Sequence, residues 1–180
     1  LLSGRGEIVL ITGDRGLGKS FLVRQVYQDL TLRKKVYSSF DEILNHDKPD
    51  NKVTDKILVL RGWCSSYEQP SPFFMWRILL KSWLTVDPED TDAEIAETLK
   101  TYCQDLWPEK FLEYLPMMGS ILGLSDETIE TELATLDAQG YQGKLFQTIR
   151  DWLNILSHRV PVMIQFGSVQ WANTGSIDLL

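Results

Sequence analysis

The chain has 180 residues, 43% of them hydrophobic, with six Trp, six Tyr and seven Phe, which suffices for one domain with a packed core and excludes a disordered chain. The formal net charge of −7 is unevenly spread: residues 1–40 hold seven Lys and Arg against three Asp and Glu, and residues 86–137 hold two against fourteen. The acidic block reads as the solvated face of several helices and excludes a nucleic-acid surface there, because a polyanion would be repelled.

The run "EIVLIT" (residues 7–12) is short, apolar and closed by Gly13, the pattern of a buried parallel strand. "GDRGLGKS" follows it, and a helix is predicted to start near Lys19. On that helix Leu22, Val26 and Leu30 recur at helical spacing, with Val23 and Tyr27 beside them. Residues 41–56 are polar and hold Pro49 between two Asp, which predicts a surface excursion. "ILVLRGW" (residues 57–63) is a second strand candidate. "PSPFFMWRILLKSWL" then turns from proline punctuation into a helix so apolar that most of its circumference must be covered; that makes it core rather than a ligand groove. A helical insertion over 73–137 is predicted, broken near Pro88, Pro108, Pro116 and Gly123. "GKLFQTIRDWLNILSHR" carries the best period in the chain, with Leu145, Ile149, Trp152 and Leu156 in one stripe widened by Phe146 and Leu153. It feeds a third strand candidate, "VPVMIQF", and "SIDLL" reads as a helix that has barely begun. The order of strand, loop, helix, strand, helices, strand predicts an α/β fold: a three-layer α/β/α P-loop domain with a parallel sheet and a helical insertion. Three strands are few for such a sheet, and the chain opens on Leu1, so it is expected to be a piece of a longer protein, incomplete at both ends.

The two cysteines, Cys64 and Cys103, have no metal-ligand spacing and fit a reducing, cytoplasmic compartment. His46 and His158 are isolated and read as surface residues. No apolar run approaches the ~18 residues of a spanning helix, so no membrane partner is expected.

The chemistry lies in the first loop. G-x-x-x-x-G-K-[ST] is filled by Gly13, Gly18, Lys19 and Ser20, with an extra Gly16 between. Phosphate oxygens need bare backbone N–H groups, which Cβ atoms would obstruct, and the turn needs positive φ values open mainly to glycine. The helix that follows aims its unsatisfied N–H groups and positive dipole end at the same anion. Lys19 adds a charge for the β- and γ-phosphates, and the Ser20 hydroxyl is the candidate Mg²⁺ ligand. The candidate nucleotide-binding set is Gly13, Asp14, Arg15, Gly16, Leu17, Gly18, Lys19, Ser20 and Phe21, with Arg15 expected to face solvent.

These segments in this order resemble the ATPase modules of the STAND class of AAA-related signalling proteins, found in multidomain adenylyl and guanylyl cyclases, large transcriptional regulators and some kinases. The likeness runs through "EIVLITGDRGLGKSFLV", "LRGWCSSYEQPSPFFMWRILL", "LEYLPMMGSILGL", "GKLFQTIRDWLNIL" and "PVMIQFGSVQWANTGSIDLL". It implies ATP or ADP as ligand, with Mg²⁺. As partners it implies other domains of the same polypeptide (a cyclase, kinase or transcription-regulator output), and further copies in an oligomer. The closing motif of that class is an apolar strand followed by two acids, and Trp-Ala-Asp a little further on. By resemblance the first acid holds Mg²⁺ through water and the second polarises the attacking water. Here those positions are Gly167 and Ser168, and the later Asp is Asn173, while Trp171 and Ala172 match. No catalytic residue is therefore assigned. Ser168 is a poor base, so the expectation is a regulatory module that binds ATP or ADP and hydrolyses it slowly or not at all. The alternatives are an active ATPase whose acids come from elsewhere and an interaction scaffold without ligand function. Direct DNA binding finds no basic helix to support it.

Overall fold

A computed structural model describes residues 6–33, 36–37, 39–44, 56–67, 72–125 and 127–180. Its elements in chain order are α1 (Lys19–Leu32), α2 (Phe40–Leu44), β1 (Leu58–Trp63), α3 (Phe74–Leu84), α4 (Asp92–Leu106), α5 (Phe111–Leu122), α6 (Glu127–Ala134), α7 (Ala138–Arg159), β2 (Val162–Gly167) and α8 (Thr174–Asp178). A 3₁₀ turn, Val169–Trp171, joins β2 to α8. The strands β1 and β2 are parallel, in register from Leu58 opposite Val162 to Trp63 opposite Gly167, and Val36 adds an isolated parallel bridge to Ile57. This is a P-loop-like α/β fold with a small parallel sheet. The predicted excursion at 41–56 begins inside α2, and residues 45–55 lie outside the described residues. Among the described residues no helix is long and apolar enough to cross a membrane.

The sheet is sided. Along β1 the buried Leu58, Leu60 and Gly62 alternate with Val59, Arg61 and Trp63, as a period of two requires. Helix α3 lies so close to β1 that a Cβ on Gly62 would come within 2.5 Å of the Met75 carbonyl oxygen and 2.9 Å of the Phe166 ring. A glycine inside an apolar strand marks this kind of approach. Six of the eleven α3 residues are buried: Met75, Trp76, Leu79, Leu80, Trp83 and Leu84. The predicted α7 stripe is the opposite wall of the core, with Leu145, Ile149, Trp152 and Leu156 all at most 3% exposed. Between them Trp83 stacks edge-on against Trp152 and Tyr102, with ring centroids 5.2 and 5.3 Å apart, and Phe40 from α2 closes the aromatic cluster.

Helix ends follow their capping chemistry. Thr91 and Glu94 form a reciprocal capping box at the start of α4, which lowers the Glu94 carboxyl pKa through hydrogen bonds from the Thr91 backbone and side chain. Asp137 caps α7 through the Gly140 N–H at 2.7 Å, and α5 ends at Gly123 with φ 78°. Tyr114 donates to Asp151 across α5 and α7 at 2.9 Å. Burial, then that bond to a carboxylate, pushes the phenol up to about 12. The folded state therefore keeps its proton where the unfolded chain loses it. Stability contributed at Tyr114 is complete below pH 10 and falls as pH rises through 10 to about 12. Denaturant titrations across that range should show Tyr114→Phe losing less stability with pH than the parent; parallel curves would contradict this.

Two expectations fail here. Pro116 does not break a helix: α5 runs through it. The carbonyl that loses its N–H partner belongs to Leu112, a residue 62% exposed, so water can satisfy it. Residues 7–12 form no strand: Ile8, Val9 and Leu10 are 97%, 78% and 82% exposed, and Ile11 is 40% exposed. A strand exists only through a hydrogen-bonded neighbour, and β1 and β2 pair with each other rather than with this run.

Candidate functional site

The loop from Gly13 to Ser20 takes the backbone its glycines permit. Gly13, Gly16 and Gly18 have φ of 147°, 91° and 81°. A Cβ on Gly16 or Gly18 would meet nothing within 4 Å, so at these two positions glycine serves the backbone angle and the open approach, not a packing contact. Gly18 is the N-cap of α1, with no side-chain cap and no acid in the first turn, so the first N–H groups of this 14-residue helix keep their donors. Lys19 folds back over the loop, where its Nζ donates to the carbonyl oxygens of Gly13 and Asp14, both at 2.7 Å. The ammonium is thus already held over the backbone it would share with an anion, with a third N–H left for it. Asp14, Arg15, Gly16, Leu17, Ser20 and Phe21 are exposed.

Burial along helix α1 is partial. Lys19, Val23, Tyr27 and Leu30 are half-buried, and no residue of the helix is fully buried. Leu22 and Val26, expected on the covered face, are 54% and 47% exposed. Tyr27 on the half-buried side meets the sheet, its ring 3.7 Å below the Arg61 guanidinium on β1.

At the carboxyl end of β2 the second half of the expected constellation is neutral. A Cβ at Gly167 would make an ordinary contact, 3.7 Å from the Trp63 Cβ. Ser168 is exposed and sits at φ 56°, a left-handed conformation costly for a residue with a side chain. Asn173 is the N-cap of α8, its Oδ1 accepting from the Ser176 N–H at 2.9 Å. The segment after β2 is anchored by α3: the buried Trp76 indole donates to the Ser176 carbonyl oxygen at 3.0 Å, and a Cβ on Gly175 would come within 3.2 Å of the Phe73 ring. Sequence reading misses these anchors because Trp76 and Ser176 lie a hundred positions apart.

The donor set fits a polyphosphate: uncapped helix N–H groups, a glycine-opened loop and one lysine. It offers a metal little. Among the described residues no three His, Cys, Asp or Glu side chains gather to hold an ion, which leaves the Ser20 hydroxyl as the loop's candidate ligand. Neither thiol reads as reactive: burial raises Cys64 and pushes Cys103 up to about 12. His158 is exposed and bonds through Nδ1 to the Asn154 carbonyl oxygen, and His46 lies outside the described residues.

The family model of the AAA ATPase domain matches residues 1–180. The chain belongs to the AAA ATPase domain family, and that membership supports a nucleotide-binding module of the P-loop type. Comparison with the curated proteins and with the solved structures gave no match.

Proposed function

We propose that the chain is a regulatory nucleotide module of the STAND class that holds ATP or ADP on residues 13–21 and hydrolyses it slowly or not at all. The observation that supports this reading is a phosphate loop complete in its glycines, Lys19 and Ser20, in a chain whose β2 strand ends without a carboxylate at Gly167 and Ser168. A bound triphosphate would supply negative charge to match the α1 N-terminus and Lys19. The third N–H of the Lys19 ammonium would donate to a phosphate oxygen, and the N–H groups of the first turn of α1 would donate to others.

Hydrolysis needs more than this grip. A divalent metal held at the Ser20 hydroxyl would supply several kcal/mol of transition-state stabilisation, roughly four orders of magnitude in rate for 5–6 kcal/mol. Ser20 with water molecules is a poor substitute for a carboxylate in holding that metal, and Ser168 is no base. Occupancy by one nucleotide rather than another then biases the arrangement of a larger protein, which needs differential affinity and not turnover. The partners on this reading are the nucleotide, output domains of the same polypeptide and further copies of the chain. The compartment is the reducing cytoplasm, where Cys64 and Cys103 stay free thiols.

Restoring the acids tests the reading. Gly167→Asp has room for its Cβ, and Ser168→Glu inherits a backbone strain that serine already bears. The parent should release phosphate from ATP no faster than the buffer. The double variant should gain Mg²⁺-dependent release of at least about tenfold, the lower end of what a positioned base and metal ligand contribute. Equal release by parent and variant, or brisk turnover by the parent, would overturn the assignment.

A further inference from the structure

The phosphate loop rides on a helix that has little to hold it. Among the described residues the run before the loop has no strand partner, and α1 itself buries no residue completely. Along it Lys19, Val23, Tyr27 and Leu30 are half-buried, and the guanidinium of Arg61 on β1 lies 3.7 Å over the Tyr27 ring. Among the described residues Arg61 forms no ion pair. Its charge is therefore turned to the electron-rich face of the ring, not to a carboxylate. Arg61 itself stands on a rigid support. It is the fourth residue of β1, paired with Gln165 of β2, two positions before the register pair Trp63 and Gly167.

We propose that Arg61 is a positioning residue for the phosphate loop: stacked on Tyr27, it fixes where α1, and with it Lys19, lies on the sheet. The inference rests on the nucleotide-binding reading above and adds a residue outside the loop motif. The lever arm makes the effect physical. Tyr27 stands eight residues beyond Lys19, about 12 Å along the helix. A swing of about 10° around the stack then carries the loop some ~2 Å, well beyond the ~0.5 Å within which a binding constellation keeps its geometry. A loose α1 thus spends part of its time with the loop misplaced, and affinity falls by the fraction of time it is well placed.

The test uses four variants of the whole chain: Arg61→Ala, Tyr27→Leu, their double, and the conservative Tyr27→Phe, which keeps the ring. ADP and ATP affinities are measured by calorimetry, and amide hydrogen exchange in α1 is followed without nucleotide. Arg61→Ala and Tyr27→Leu should each weaken nucleotide binding roughly three- to thirtyfold, the range a partly desolvated cation–ring contact supports. The double should be no weaker than either single. Tyr27→Phe should stay within about twofold of the parent, a rescue that loss of packing alone does not predict for Tyr27→Leu against Tyr27→Phe at an exposed helix. Residues 19–32 should exchange faster in both single variants while β1 and α3 keep their protection. Unchanged exchange and affinity in Arg61→Ala, or additive losses in the double, overturn the proposal. Should the parent bind neither nucleotide, the functional reading fails separately, and unaltered α1 exchange in Arg61→Ala would still overturn the placement of α1 by Arg61.

Discussion

Lys19→Ala is expected to take nucleotide binding out of calorimetric reach, raising Kd by about 100-fold or more. The estimate follows from the bonds lost. A hydrogen bond to a charged group is worth about 1.5–3 kcal/mol, and an ammonium gripping a phosphate makes at least one, in a site with no other lysine in the loop. The variant also loses the two 2.7 Å bonds by which Nζ braces the Gly13 and Asp14 carbonyl oxygens, so the loop becomes less ordered before any ligand arrives. Lys19→Met, which keeps the apolar stem and removes the charge, should behave alike. Folding should not suffer, since α1 contributes no buried residue to the core. Circular dichroism and the unfolding midpoint should match the parent. An ATP affinity within about threefold of the parent would show that the loop amides alone carry the binding.

The second large effect lies in the core. Trp152→Ala should destabilise the chain by about 3–5 kcal/mol, the cost of emptying a large aromatic site, with the lost edge-on pairing to Trp83 included. Against the 5–15 kcal/mol that a domain has in total, this leaves a protein unfolded a large part of the time when warmed. Trp152 is fully buried on the α7 stripe, its ring partner Trp83 comes from α3, and Trp83 is in turn held by Tyr102 of α4, so the hole cannot be refilled by a local shift. Among the described residues its buried indole N–H, like those of Trp83 and Trp107, finds no hydrogen-bond partner. Trp152→Phe, which removes that unsatisfied donor while keeping a ring, should therefore cost markedly less than the alanine variant. Urea unfolding measures both. A loss under about 1 kcal/mol for Trp152→Ala would mean that the aromatic cluster is not the centre of the fold.

Much of this was legible in the residues, and the failures share a cause. The α7 stripe, the apolar α3 and both paired strands follow from period and composition, which report how a segment meets whatever covers it. The run at 7–12 has the composition of a buried strand, yet a strand needs a partner, and no property of "EIVLIT" says which segment supplies one. The covered face of α1 departs from the apolar pattern for a similar reason. Leu22 and Val26 are more apolar than Tyr27, but Arg61 stands opposite Tyr27, and the pairing of a β1 cation with an α1 ring is invisible in either segment alone. Within the candidate site, the loop glycines and Lys19 could be read directly because their roles are local. Gly62 could have been read as a place of close approach, a lone glycine in an apolar strand, and Asn173 as a cap three residues before Ser176. The left-handed Ser168 and the bond from Trp76 to Ser176 could not, since they follow from where α3 lies against the end of β2.

The phosphate loop is the centre of the account, and the direct measurement is a calorimetric titration of the chain with ATP and with ADP, each with and without Mg²⁺. Both nucleotides should bind, with affinities that change by less than about tenfold when Mg²⁺ is withheld, because Lys19 and the loop amides carry the grip and no carboxylate at 167 or 168 holds the metal. A folded chain that gives no heat with either nucleotide would contradict the account.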